Sequence, residues 1–406
     1  MAAATIFIIT YIGIAIGRIP GLVIDRVGIA LLGAIAMVVF KVISVEDAIN
    51  SIDFPTILLL FGLMIISAQL RLGGFYSWSA SRIIFLLQKP RLFLLNSMLL
   101  SALLSAVLAN DIVCFAFTPV LALSLSQAGV NPLPFLLGLA ISSNIGSAAT
   151  IIGNPQNMLI GQVGQLDFGN FLFWSTPPSL LALSASYLTL LWIFRGKFLA
   201  KKGAIPENVA HAVKWPSFDL WQSSKGIAAI CILVLLFFTP VPREISAVGI
   251  AGILLCSRKM RTKDILVLID WHLILLFCAL FIVIQGISQH GLLPALAGRL
   301  GNGEISMHNL PVLTGISAVL SNMVSNVPAV MILVRFLDPA NPLEWYTLAV
   351  SSTFAGNLVT IGSIANLIVI EQAAHFGVDI SFRQHAAAGI PVTMISFAAL
   401  LFWLII

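Results

Sequence analysis

Charge is what this chain has least of. Only 9% of its 406 residues are Asp, Glu, Lys or Arg, whereas 59% are hydrophobic and the mean hydropathy is +1.04. A chain so poor in charge cannot cover a water-facing surface, so its outside faces lipid and a soluble enzyme is excluded. Cysteine is also scarce. Cys114, Cys231, Cys256 and Cys278 each sit in an apolar run without CxxC spacing, which argues for small space-fillers rather than disulfides or a metal centre. The six histidines lack metal-ligand spacing, and His290, His308, His375 and His385 are assigned to peripheral loops. HExxH and GxSxG are both missing, which leaves intramembrane hydrolysis without its residues. The formal net charge of +5 is small for this length. Its basic residues gather at the ends of apolar runs, a topology signal rather than a nucleic-acid-binding face.

What the chain does have is apolar stretches of roughly 17 to 25 residues, long enough to cross a bilayer, along its whole length. The first, residues 3–17, has no basic start and no cleavage site before Arg18, and is expected to be retained as a span. Several motifs recur. Asp53 and Asp270 each precede a span, and Asn110 and Asn326 follow at almost the same interval from one another. Ser142-Ser143, Gly153 and Asn157 return as Ser351-Ser352, Gly362 and Asn366, all shifted along the chain by one identical interval. Equivalent loops carry opposite charge. Residues 44–54 hold Glu46, Asp47 and Asp53 and no base, whereas residues 257–270 hold Arg258, Lys259, Arg261 and Lys263. Basic loops stay in the cytoplasm, so the two halves are expected to be inverted repeats, residues 1–205 and 206–406, joined by a basic cytoplasmic linker.

The expected fold class is an all-α polytopic membrane protein. Each half has about five spans, one re-entrant hairpin and one broken helix. Spans are expected near residues 3–17, 27–43, 55–72, 133–163 and 172–194, and near 226–239, 245–257, 271–288, 344–373 and 388–406. Segments 92–127 and 308–338 each offer two apolar arms too short to cross separately, and are read as hairpins entering from the cytoplasm and from outside respectively. Arg71, Arg82, Lys89 and Arg91 are taken as cytoplasmic anchors.

Polar residues inside these apolar segments mark the candidate site. Asn110-Asp111 interrupts the first hairpin, and an ionisable residue at such depth is a functional hypothesis by default. The matching tip, Ser325-Asn326-Val327-Pro328, has no acid. Asn144 and Ser147 lead to Gly153-Asn154-Pro155-Gln156-Asn157, which reads as a helix broken at mid-membrane whose free backbone groups can hold a ligand. In the second half Asn357, Thr360, Ser363 and Asn366 follow the same plan. Glu371 matches Gln162 near the cytoplasmic end of its span and, with Asp111, is a candidate proton carrier.

The segments Asn110-Asp111, Ala140 to Asn157, Leu320 to Pro328 and Ser351 to Gln372 resemble those of the ion transporter superfamily. The likeness is to its arsenite-permease branch and most of all to the plant silicon-efflux transporters. Those proteins carry a long charged insert between their halves, where this chain has a short linker. The resemblance implies a scaffold and a transport unit in each half, hairpin tips that meet broken helices, elevator-type alternating access and a homodimer. Dicarboxylate transporters of the superfamily have Ser-Asn-Thr tips that help bind sodium and substrate. The tips here, Ala109-Asn110-Asp111 and Ser325-Asn326-Val327, depart from that pattern. No tip or broken helix contains Lys or Arg, whereas the amides and hydroxyls suit an uncharged hydroxylated solute. A desolvated Asp111 favours its neutral form and regains charge when water arrives, which suits a proton carrier. The expected activity is proton-coupled efflux of a neutral metalloid hydroxide, silicic or arsenous acid, across a bacterial inner membrane. The alternative is a sodium- or proton-coupled carrier of inorganic or organic anions such as dicarboxylates. Expected partners are the solute, the bilayer and a second copy of the chain; no cofactor is expected, and the coupling ion is the proton, with sodium as the alternative.

Overall fold

A computed structural model describes residues 2–17, 23–83, 86, 88–198, 217–290 and 306–406, and is helical throughout these segments. The first half supplies α1 (Ala2–Ile16), α2 (Arg26–Val39), α3 (Val45–Asn50), α4 (Phe54–Leu72), α5 (Phe75–Ile83), α6 (Pro90–Val107), α7 (Asn110–Gln127), α8 (Leu133–Ser147), α9 (Pro155–Val163) and α10 (Phe168–Ile193). Next come α11 (Leu220–Leu236), α12 (Arg243–Leu255), α13 (Thr262–Leu266), α14 (Trp271–Ser288), α15 (Leu310–Val324) and α16 (Asn326–Leu333). The chain ends with α17 (Pro342–Ala355), a 3-10 turn (Thr360–Gly362), α18 (Ile364–Ala374) and α19 (Phe382–Trp403). Most of the proposed linker and residues 291–305 lie outside the described residues.

Six of these helices, α4, α6, α7, α10, α14 and α19, are long and apolar enough to cross a membrane. The protein is thus an all-α, polytopic membrane protein. The acids that precede spans are helix caps: Asp53 Oδ1 accepts from Thr56 N at 2.8 Å and Asp270 Oδ1 from Leu273 N at 2.9 Å. Each satisfies one of the amides that the first turn leaves free. Helix starts keep the spacings of the motifs. The starts of α2 and α12, and of α4 and α14, are separated by the interval between Asp53 and Asp270. Those of α8 and α17, and of α9 and α18, are separated by the interval between Asn157 and Asn366.

One expectation needs correction. The arms of the first hairpin are not short, since α6 and α7 have 18 residues each and enough hydropathy to cross. Pro119 lies inside α7 and does not end it. In the second hairpin α15 has 15 residues and α16 only 8.

Two hydrophobic cores organise the helices. One runs through α1, α2, α4, α11, α12 and α14 and extends into α9 and α16. The other runs through α6, α7, α8, the second part of α10, α18 and α19. Close approach in the second depends on glycine: a Cβ on Gly146 of α8 would sit 2.3 Å from Ala102 O of α6, so only glycine lets these helices touch.

Candidate functional site

Four helices begin at one place. The N-terminal residues of α7 (Asn110, Asp111), α9 (Pro155, Gln156), α16 (Asn326, Val327) and α18 (Ile364), with Ser325 and the cap Ser363, line a cavity of about 20 Å³. That is room for about one water molecule. The chain is broken on both sides of this point, at 148–154 between α8 and α9 and at 356–363 between α17 and α18. Each helix start directs free backbone amides and the positive end of its dipole toward the cavity. The lining has no Lys or Arg.

Behind the lining lies a network of amides. Asn144 of α8 is its centre. Its Nδ2 donates to Asn357 Oδ1 at 2.9 Å and Asn366 Oδ1 at 3.2 Å. Its Oδ1 accepts from Asn110 Nδ2 and from Ser363 Oγ, both at 3.0 Å. All four hydrogen-bonding positions of this one amide are filled, and it joins the first hairpin tip to the second break. Its counterpart in the second half, Thr353 of α17, makes the reverse connection. Thr353 Oγ1 accepts from Asn154 Nδ2 at 3.2 Å and Gln156 Nε2 at 3.4 Å, and lies 3.3 Å from Asn157 Oδ1. Thr353 is not among the residues that sequence reasoning singles out; applying the interval between Asn157 and Asn366 to Asn144 finds it.

The two breaks are braced alike. Asn157 Nδ2 donates to Ser147 O at 3.3 Å and Thr150 O at 3.0 Å. Asn366 Nδ2 donates to Gly356 O at 2.7 Å and Val359 O at 3.2 Å, the matching pair of carbonyls in the second half. Asn154 caps α9 by accepting from Asn157 N at 2.9 Å and donates to Ser147 Oγ at 2.9 Å. Hairpin arms are pinned to the broken helices by Ser101 to Ser142 and by Ser317 to Ser351, hydroxyl to hydroxyl. At the second tip, Asn326 with its amide oriented by its neighbours donates to Gly362 O at 2.9 Å and Ser352 O at 3.2 Å.

The candidate residues therefore fall into layers. Asn110, Asp111, Gln156, Ser325, Asn326 and Ser363 line the cavity. Asn144, Ser147, Asn154, Asn157, Asn357 and Asn366 stand behind it, all at 1% exposure or less. Thr360 is buried in the 3-10 turn and lines nothing there, and Glu371 is exposed on α18, away from the cavity. Two polar atoms at the site have no partner among the described residues: Asn110 Oδ1 and Asn357 Nδ2. Half-buried Asp111 has no hydrogen bond there either, and it also lines a second cavity, of about 40 Å³, with Asp270, Met64 and Met158.

Arg71 gains a contact within the protein, and His385 differs from its expected setting. Arg71, read as an anchor, stacks its guanidinium on the Phe115 ring of α7 at 4.1 Å, tying α4 to the hairpin. His385 is not peripheral. It is 1% exposed on α19, and neither ring nitrogen has a partner among the described residues. A helix cap at Ser381 places it inside the first turn of α19, where four residues later a Cβ on Gly389 would meet Asn357 O at 2.2 Å.

The comparisons agree with this architecture. Residues 7–355 match the citrate transporter family, and the chain belongs to that family of the ion transporter superfamily. A 46 kDa membrane protein of Mycobacterium leprae (strain TN) is 31% identical over 98% of this chain and 96% of its own length. The silicon efflux transporter LSI3 of Oryza sativa subsp. japonica is 28% identical over 92% of this chain and 86% of its own. The putative transporter arsB of Dictyostelium discoideum is 25% identical, again over 92% and 86%. The protein is an integral membrane transporter of small solutes, not an enzyme.

Proposed function

We propose that this protein exports an uncharged metalloid hydroxide, silicic or arsenous acid, in exchange for protons. In this reading the two halves are inverted repeats, and α6–α9 and α15–α18 form the moving part of an elevator. The unit is a homodimer in a bacterial inner membrane and uses no cofactor. The observation that carries the reading is that, among the described residues, two acceptors at the cavity, the buried Asn110 Oδ1 and the half-buried Asp111 carboxylate, have no donor. A buried acceptor without a donor costs about 1–3 kcal/mol. The O–H groups of a metalloid hydroxide satisfy such acceptors, whereas ionised carboxylate groups can only accept. Asp111 carries the proton: with its charge it accepts from the solute, and once protonated it releases it. The relative named as a silicon efflux transporter supports the same solute class.

A second reading has its own observation. Four helix N-termini meet at the cavity, and each favours negative charge by about 0.3–1 kcal/mol. That field suits an anion, and the family's name refers to citrate. Flux into proteoliposomes separates the two. The metalloid reading expects solute movement driven by a pH gradient and competed by silicic or arsenous acid. A requirement for sodium, with competition by citrate or other dicarboxylates and tricarboxylates alone, overturns it.

A further inference from the structure

Arg26 and Arg243 are the first residues of α2 and α12, and the interval between them is the one that separates α4 from α14. Their surroundings are opposite. Arg243 Nη2 donates to Gly161 O at 2.9 Å in the last turn of α9, and beside it Gln162 Nε2 donates to Glu244 Oε2 at 3.0 Å. Arg26 has no hydrogen bond or ion pair among the described residues. It faces a cavity of about 450 Å³ that passes Ile364 and Leu367 of α18 and reaches Ser325 at the second hairpin tip. The α18 positions that match Gly161 and Gln162 are Ile370 and Glu371, one turn beyond Leu367. Glu371 is exposed and unpartnered among the described residues.

We propose that these two arginines are alternating clasps. In the conformation described here Arg243 holds the carbonyl end of α9; in the opposite one it releases, and Arg26 takes the Ile370 carbonyl and the Glu371 carboxylate. The proposal rests on the elevator reading, and it makes Glu371 a partner of Arg26 rather than a proton carrier. The physics is local. A guanidinium at the last carbonyls of a helix makes charge-assisted hydrogen bonds and meets the negative end of the helix dipole. A contact made in only one of two states biases the equilibrium by its own strength. Arg243 Nη1 stays buried without a partner among the described residues, which keeps the closed clasp weak enough to open.

The test reads conformation without any solute, so a failed flux assay for metalloids leaves it intact. Leu367→Cys, in a chain whose four native cysteines are changed to alanine, is labelled with a membrane-impermeant maleimide from the face on which Arg26 lies. Adding Arg243→Gln is expected to slow labelling about fivefold, and adding Arg26→Gln as well to restore it. Unchanged labelling in Arg243→Gln, or no restoration in the double variant, overturns the proposal. If Arg243→Gln does not accumulate, Gln162→Ala is expected to slow labelling about twofold, and no change there is equally decisive. By the same labelling, in the Arg243→Gln background, Arg26→Glu is expected to restore fast labelling and Glu371→Arg added to it to slow labelling again; no slowing on that addition overturns the pairing.

Discussion

At the first hairpin tip the chain turns through Ala109 with φ −57° and sets Asp111 on the cavity. At the second it turns through Ser325 with φ +77° and ψ 159° and sets Val327 at the matching place. The asparagines beside them, Asn110 and Asn326, are both buried and both bonded to the neighbouring break. The shared part is the asparagine, which locks tip to broken helix. The differing parts are chemical at one tip, an ionisable group, and mechanical at the other, a strained turn. We read this as a division of labour: the first tip responds to protons and the second to the presence of solute.

The widest gap between the tips should appear in coupling. Asp111→Asn keeps the size and removes the charge change, so pH-driven exchange in proteoliposomes should fall to the level of protein-free vesicles while gel filtration and melting stay as in the parent. Undiminished exchange would remove the chemical half of the comparison. Asn144→Ala should have the largest effect on stability. It strips partners from Asn110 Nδ2, Ser363 Oγ, Asn357 Oδ1 and Asn366 Oδ1 at once. With each orphan costing about 1–3 kcal/mol and some relaxation, a loss of at least about 3 kcal/mol is expected in melting of the purified protein. Thr353→Val, the matching change in the other half, should cost less, about 2 kcal/mol. Asn154 Nδ2 retains Ser147 Oγ, so two atoms, Gln156 Nε2 and Asn157 Oδ1, lose their bonds to Thr353. Equal losses for the two variants would break the view that the first tip is the more heavily braced.

Much of this arrangement can be read in the chain before any coordinates. The two motif intervals coincide with helix starts, because caps such as Asp53, Asp270, Asn154 and Ser363 mark those starts chemically. Amides among apolar residues also announce the cavity, since such groups need partners at that depth. Rotation about a helix is harder to read. When nearly every face is apolar, no periodicity tells which side looks inward. Sequence pattern therefore groups Glu371 with Asp111 although it points away, and assigns His385 to a loop although it is buried. Thr353 escapes notice because a lone hydroxyl in a run of Ser and Thr looks like a packing residue. Helix length is misread in the first hairpin, where α7 continues through Pro119 instead of stopping.

The smallest predicted effect probes the mechanical half. A non-glycine residue at φ +77° stores about 1–3 kcal/mol of backbone strain, and glycine adopts that conformation freely. Ser325→Gly should thus raise the melting temperature by about 1–2 °C even though glycine costs more entropy on folding. Ala109→Gly, made where the backbone is already relaxed, should lower it by a similar amount, because it gains nothing and adds freedom to the unfolded chain. Opposite signs at matching positions would show that strain is held at one tip only. If the strain serves to open the second tip for a solute larger than the present cavity, Ser325→Gly should also slow exchange while leaving its pH dependence untouched. A pH dependence that moves with Ser325→Gly would instead mean that both tips share the proton response, and the division of labour would fail.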